Sequence, residues 1–192
     1  MEEPIGQMYG TSLSPEEASQ HFRLQEMLIE FSKLFAYDDA SERAIAIVGP
    51  AFIDTLLTEV LVNFLINDKK EVQKLVGTEA PLGTFGAKVS ACYCLGLIGD
   101  IIKSDLRLVA KVRNRFAHEL RATFSDQQIK SWCEALRWHK EALMCEPPSA
   151  ATPRDVFQVA VNQLVCHLGG LVGLARLRKR RKSKSGSAGN ES

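Results

Sequence analysis

The sequence predicts an all-α protein: an up-and-down bundle of about five main helices, followed by a C-terminal helix and a disordered basic tail. Three observations lead there. Apolar residues recur three and four apart through most of the chain. Helix-start signatures punctuate it at intervals. Neither a useful run of alternating apolar and polar residues nor a 20–50-residue repeat is found.

Ser14-Pro15-Glu16-Glu17 starts the first helix: Ser14 caps it, Pro15 suits the first position and Glu17 completes a capping box. Leu24, Leu28, Phe31 and Phe35, with Met27 and Leu34, form its stripe to about residue 35. A second helix is expected from Ser41 to about Leu65. Ile45, Val48, Phe52, Leu56, Val60 and Phe64 line one side of it, and Leu57 and Leu61 widen the stripe to that of a central helix. Pro50, after Gly49, is expected to kink it because proline has no N–H to donate. A short charged helix follows at 68–76. The segment 77–86, GTEAPLGTFG, reads as an ordered loop anchored by Leu82 and Phe85. Further helices are expected at 86–98, at 104–120 behind a Ser104 cap, and from a Ser125-Asp126-Gln127-Gln128 box to about Met144. The last of these carries Ile129, Trp132, Leu136 and Leu143, and Pro147-Pro148 ends it. Thr152-Pro153-Arg154-Asp155 opens the final helix. Residues 183–192 have the composition of disorder. The expected organisation is a helical bundle domain at 1–146, a C-terminal helical extension at 147–176 and a basic tail at 177–192.

The chain has 192 residues, 45% of them apolar and 24% charged, which suits a soluble globular protein with a core of its own. Its net charge of +1 hides an asymmetry. RLRKRRKSK at 176–184 holds seven basic groups and no acid, while residues 1–175 hold 17 basic groups against 22 acidic ones. That excludes a uniformly basic nucleic-acid-binding surface and leaves a basic arm. MEEPIGQMYG at 1–10 has two acids and no apolar run, so a signal peptide is not expected there. Residues 156–175 are apolar enough to be mistaken for a membrane span, with a tail-anchored segment as the alternative. Gln158, Asn162, Gln163 and His167 instead trace a polar stripe, so membrane contact is not expected. Cys92, Cys94, Cys133, Cys145 and Cys166 include no CxxC pair and read as reduced, mostly buried thiols of a cytoplasmic protein. The four histidines are far apart in sequence, and no metal or cofactor is expected. GxGxxG, P-loop, HExxH and GxSxG motifs are absent.

The informative stretch is Lys111-Val112-Arg113-Asn114-Arg115-Phe116-Ala117-His118. On a helix Asn114 and His118 face the same way, and Arg113 lies about 100° round the axis. Val112 and Phe116 anchor a neighbouring face. Together with AIAIVGPAFIDTLLTEVL at 44–61, PLGTFGAKVSACYCLGLI at 81–98 and DLRLVAKVRNRFAH at 105–118, this stretch resembles the mannitol operon repressor family. The resemblance covers about residues 20–145. RNRFAH also resembles the R-N-x-x-x-H motif of HEPN domains, a wider group of helical bundles.

The first resemblance implies a cytoplasmic, dimeric transcriptional regulator or co-repressor. With an acidic folded part and no convincing helix-turn-helix unit, it would act through protein–protein contacts, and Val156, Val159 and Leu164 offer a contact surface. The HEPN resemblance implies instead a metal-independent, toxin-like ribonuclease acting as a dimer. The ribose 2′-OH would attack the adjacent phosphate, with His118 moving the proton, Arg113 neutralising the phosphate oxygens and Asn114 orienting the imidazole or the phosphate. A second reading of the octet is structural. Arg113 pairs with Asp54 or Glu59, and His118 caps the carbonyls of its own helix.

Three further features have bland readings. Thr84 caps a helix, and the glycine-rich loop around it lacks P-loop spacing. Trp132 belongs to the core, and Trp138 is a candidate for a partner contact. The tail residues Arg176, Arg178, Lys179, Arg180, Arg181, Lys182 and Lys184 could make weak nucleic-acid contact by counterion release, with no aromatic residue among them to read bases.

Overall fold

The computed structural model describes residues 15–35, 40–143 and 150–180. Among the described residues there are eight helices and no strand. The first, α1, is Pro15–Phe35, and α2 is Glu42–Phe64. Ser14 lies outside the described residues. Ser41 caps α2 by accepting the Ala44 N–H, as expected. The α2 helix runs unbroken through Gly49 and Pro50, both buried. Next come α3, Lys69–Val76, capped by Asp68, and α4, Phe85–Cys94, capped by Thr84. Then follow α5, Asp100–His118, α6, Gln127–Glu134, and α7, Trp138–Leu143. Last is α8, Pro153–Leu177, opened by the reciprocal Thr152–Asp155 capping box.

Three boundaries differ from expectation, each for a local reason. The α4 helix stops at Cys94 rather than 98. Gly96 takes the left-handed region at φ +68°, and the Gly96 and Leu97 amides donate to the Tyr93 and Cys92 carbonyls in a Schellman turn. The α5 helix begins at Asp100, so Ser104 lies inside it and caps nothing. The single helix expected from Ser125 is two. Asp126, not Ser125, is the cap residue of α6, and the chain breaks at Ala135–Arg137. The break has a cause far off in sequence. The buried Asp105 carboxylate of α5 accepts the Arg137 N–H at 3.0 and 3.2 Å and the Trp138 N–H at 2.7 Å, which opens α7.

The core is built on α2 and α8, which pack along one another. Ile53, Leu56, Leu57, Val60 and Leu61 of α2 and Phe157, Val161, Leu164 and Leu168 of α8 are fully buried. Each such side chain contributes about 1.5–3 kcal/mol relative to exposure. Hydrogen bonds at the two ends show that the pair runs parallel. Arg154 donates to the Ala40 carbonyl at one end, and Arg176 donates to Asn63 at the other. Consecutive antiparallel helices cannot do this, but helices separated by the rest of the chain can. The final helix, expected as an extension, is therefore half of the central pair. Leu164, expected on a contact surface, is sealed within it. Both α2 and α8 are long and apolar enough to cross a membrane by length and composition, and here they cover each other.

The α4 and α5 helices pack on α2, and α6 and α7 pack on α8. Phe124 joins the layers, 5.0 Å from the Phe116 ring and 5.3 Å from the Phe157 ring. Across the other side, α1 sets Phe31 in a 4.5 Å stack on Phe52. In the loop before α4, a Cβ at Gly83 would lie 2.2 Å from the Thr78 carbonyl oxygen, so the fold needs glycine there.

Candidate functional site

The RNRFAH stretch forms the last two turns of α5. Val112 and Phe116 are fully buried against the core, which fixes the rotation of the helix. Arg113, Asn114, Ala117 and His118 are consequently exposed. Arg113 donates to Asn114 Oδ1 at 2.9 Å. Arg107, Lys111, Asn114 and His118, spaced four, three and four, form one exposed ridge, with Arg121 just beyond its end. The Lys111 ammonium lies 5.9 Å from the centre of the Trp132 ring. Arg115, on the flank, pairs with Glu119. Among the described residues, Arg107, Lys111, Arg113 and Arg121 take part in none of the ion pairs, so the ridge is cationic.

The structural clamp expected of Arg113 and His118 is made by other residues. Asp54 accepts from Lys88 at 2.8 Å, and Glu59 accepts from Asn63, so neither carboxylate serves Arg113. The carbonyls at the end of α5 are satisfied by Arg43, from the first turn of α2. Its guanidinium donates to the Phe116 carbonyl, to the Glu119 carbonyl at 2.8 Å and to the Leu120 carbonyl at 2.7 Å. Glu42 beside it accepts the Phe124 N–H at 2.9 Å. Sequence reasoning missed this pair because nothing within 70 residues indicates its partners. The Ser41-Glu42-Arg43 start of a long helix was the one signal available.

Other candidates fall as follows. Thr84 caps α4 through the Ala87 N–H, and Phe85 packs on the core. Trp132 is partly buried against the core. Trp138 is not a surface contact. It packs against the core with its ring edge-on to His167 at 4.7 Å, and burial lowers the pKa of that imidazole below its ordinary value. Cys92 and Cys133 are buried, and the cost of desolvating a thiolate pushes both thiols up to about 12. Cys94 and Cys166 are exposed, and Cys145 lies outside the described residues. No group of three or more histidine, cysteine or acidic side chains could hold a metal among the described residues.

Part of the basic tail is structured. Arg176 belongs to α8, and Arg180 donates its N–H to the Phe64 carbonyl and sets its guanidinium 5.2 Å from the Phe64 ring. Arg178 and Lys179 lie between them, while Arg181, Lys182 and Lys184 lie outside the described residues. Beside Arg176 and Lys179, at the C-terminal end of α2, is a cleft of about 520 Å³. The α5 ridge ends at the opposite end of α2, where Arg43 is. At 1.5 Å per residue the two regions are roughly 30 Å apart.

Among solved structures, a chain of the "X-ray structure of the MtlR-HPr complex from Escherichia coli" aligns with this one at a TM-score of 0.54. The alignment spans 82% of this chain and 99% of that one. The fold is MtlR-like. At 21% sequence identity it is the architecture that is shared. Neither a protein-family model nor a curated protein sequence matches the chain.

Proposed function

We propose that this protein is a cytoplasmic, homodimeric regulator that acts by docking other proteins rather than by reading DNA with a helix of its own. The observation that carries the reading is the MtlR-like fold, shared with a protein solved in complex with HPr. The open setting of the RNRFAH side chains supports it, because a convex ridge suits a partner's surface better than a small substrate. In this reading the protein controls transcription of a sugar-utilisation operon through its partner. The test has two arms: calorimetry of the purified chain with HPr, and transcript levels of the mannitol operon in a deletion strain. Saturable binding with derepression is expected. Absence of both ends the reading.

A second reading is a HEPN-type ribonuclease. What favours it is that Arg113, Asn114 and His118 are all accessible on a cationic ridge, which suits a phosphate backbone. Two copies would have to pair their ridges to assemble enough groups for proton transfer and charge neutralisation. Purified protein incubated with total RNA and a chelator should then produce fragments, and His118→Ala should abolish them. Intact RNA, or equal cleavage by the variant, removes this reading. Weak nucleic-acid contact through the basic tail is tested separately, by the loss of salt-dependent DNA retention on deleting residues 181–192.

A further inference from the structure

The cleft of about 520 Å³ is assembled from three parts of the chain that are far apart in sequence: α1, the end of α2 with the turn into α3, and the end of α8. Its volume is that of a site for a small organic molecule. The lining is divided by chemistry. Leu24, Met27, Val62, Ile66 and Val72 make an aliphatic floor. Arg23, Arg176, Lys69 and Lys179 stand round it, with Asn63, Asn67 and Gln73 between.

The two carboxylates in the lining are engaged within the protein. Asp68 accepts the Glu71 N–H as the cap of α3. Glu59 accepts from Asn63 Nδ2 at 3.4 Å, and the same amide donates to the Glu59 carbonyl at 2.7 Å. Asn63 is only 5% exposed, and its Oδ1 accepts the Arg176 Nε–H at 3.0 Å. A buried amide, fixed at both ends, thus holds a guanidinium at the wall of the cleft. The terminal NH2 groups of Arg176 make no hydrogen bond among the described residues, and Arg23, Arg176 and Lys179 take part in none of the ion pairs there. A planar fork held in this way is suited to phosphate oxygens.

A cation near the ends of α2 and α8 would also be favoured by their dipoles. That effect applies to Arg176, in the last turn of α8, but it explains neither the fixing of its guanidinium by the buried Asn63 amide nor Arg23, which comes from the body of α1.

We propose that this cleft binds a phosphorylated small molecule, its phosphate held by Arg176, Lys179 and Arg23 and its less polar body lying on the aliphatic floor. The inference does not depend on the regulatory role, because binding needs no partner protein. The test is calorimetry of the full chain at low salt with pyrophosphate, ADP and adenosine. Both anions should bind saturably at one site, ADP more tightly than pyrophosphate, and adenosine far more weakly. Arg176→Gln and Lys179→Gln should each weaken ADP by about tenfold or more, the value of a charge-assisted hydrogen bond. Arg121→Gln, beyond the far end of α2, should leave it unchanged. If Arg176→Gln fails to fold, the exposed Lys179 decides the matter. No saturable binding of either anion below about 5 mM, or equal weakening by Arg121→Gln, overturns the proposal. ADP binding no tighter than pyrophosphate removes the floor from it.

Discussion

Arg43 is the residue on which the geometry of the RNRFAH end depends. Its guanidinium satisfies three carbonyls at the end of α5 and in the turn after it: those of Phe116, Glu119 and Leu120. Replacing it with methionine keeps the length of the stem and removes every donor. A hydrogen bond from a charged group contributes about 1.5–3 kcal/mol where water is excluded. The bonds to Phe116 and Glu119 are part-buried, while the one to Leu120 is exposed and counts for little. Allowing for non-additivity within one guanidinium, Arg43→Met should cost about 2–4 kcal/mol. With an m-value of about 2 kcal/mol/M in urea, the unfolding midpoint should fall by about 1–2 M. Arg43→Lys, a single ammonium in place of a fork, should fall between the two. The comparator is Arg113→Ala. Arg113 is exposed and, among the described residues, bonded only to its neighbour Asn114, so its loss should stay within about 0.5 kcal/mol. Urea melts of the three variants, followed by circular dichroism, settle the matter. Loss of less than about 0.5 kcal/mol in Arg43→Met, or equal losses in Arg43→Met and Arg113→Ala, would show that α5 is not held from α2 in this way.

Other residues give shorter tests. Asp105→Ala strands the Arg137 and Trp138 amides and should destabilise by about 2–3 kcal/mol, whereas Asp105→Asn keeps an acceptor and should cost less. Burial raises the Asp105 pKa against the opposing pull of the Trp138 and Arg137 amides. The folded state therefore binds this proton more readily than the unfolded one, and stability relative to Asp105→Asn should fall as pH rises from about 3.8 through the folded pKa; a rise in urea melts over that window contradicts the assignment. Asp155 has the opposite sign. Its hydrogen bonds with Thr152 lower its pKa, so the contribution of the α8 capping box should be present above about pH 4 and vanish as pH falls through the folded value, and Thr152→Ala should remove about 1 kcal/mol of it at neutral pH. Iodoacetamide should label Cys94 and Cys166 in the native protein but reach Cys92 and Cys133 only on unfolding, as read by peptide mass spectrometry. Gly83→Ala drives a Cβ onto the Thr78 and Gly77 carbonyls and should cost about 2 kcal/mol or more in the same melts.

Local physics was legible in the chain, and non-local physics was not. The caps at Ser41, Thr84 and Thr152, the inward set of Val112 and Phe116, and the all-helical class follow from side chains acting within four residues of one another. Such interactions are nearly the same in a peptide as in the folded protein, so sequence alone determined them. The break between α6 and α7 was hidden because Asp105, 32 residues earlier, supplies its acceptor. The pairing of α2 with α8, the Arg43 clamp and the Arg176–Asn63 bond at the cleft join residues 73 to 114 positions apart. Which distant groups meet depends on how all the apolar faces are buried together, since burial is non-directional and names no partner. That collective choice, made only in the tertiary structure, leaves Arg113 and His118 open to solvent and brings Arg23 and Arg176 into the lining of one cleft.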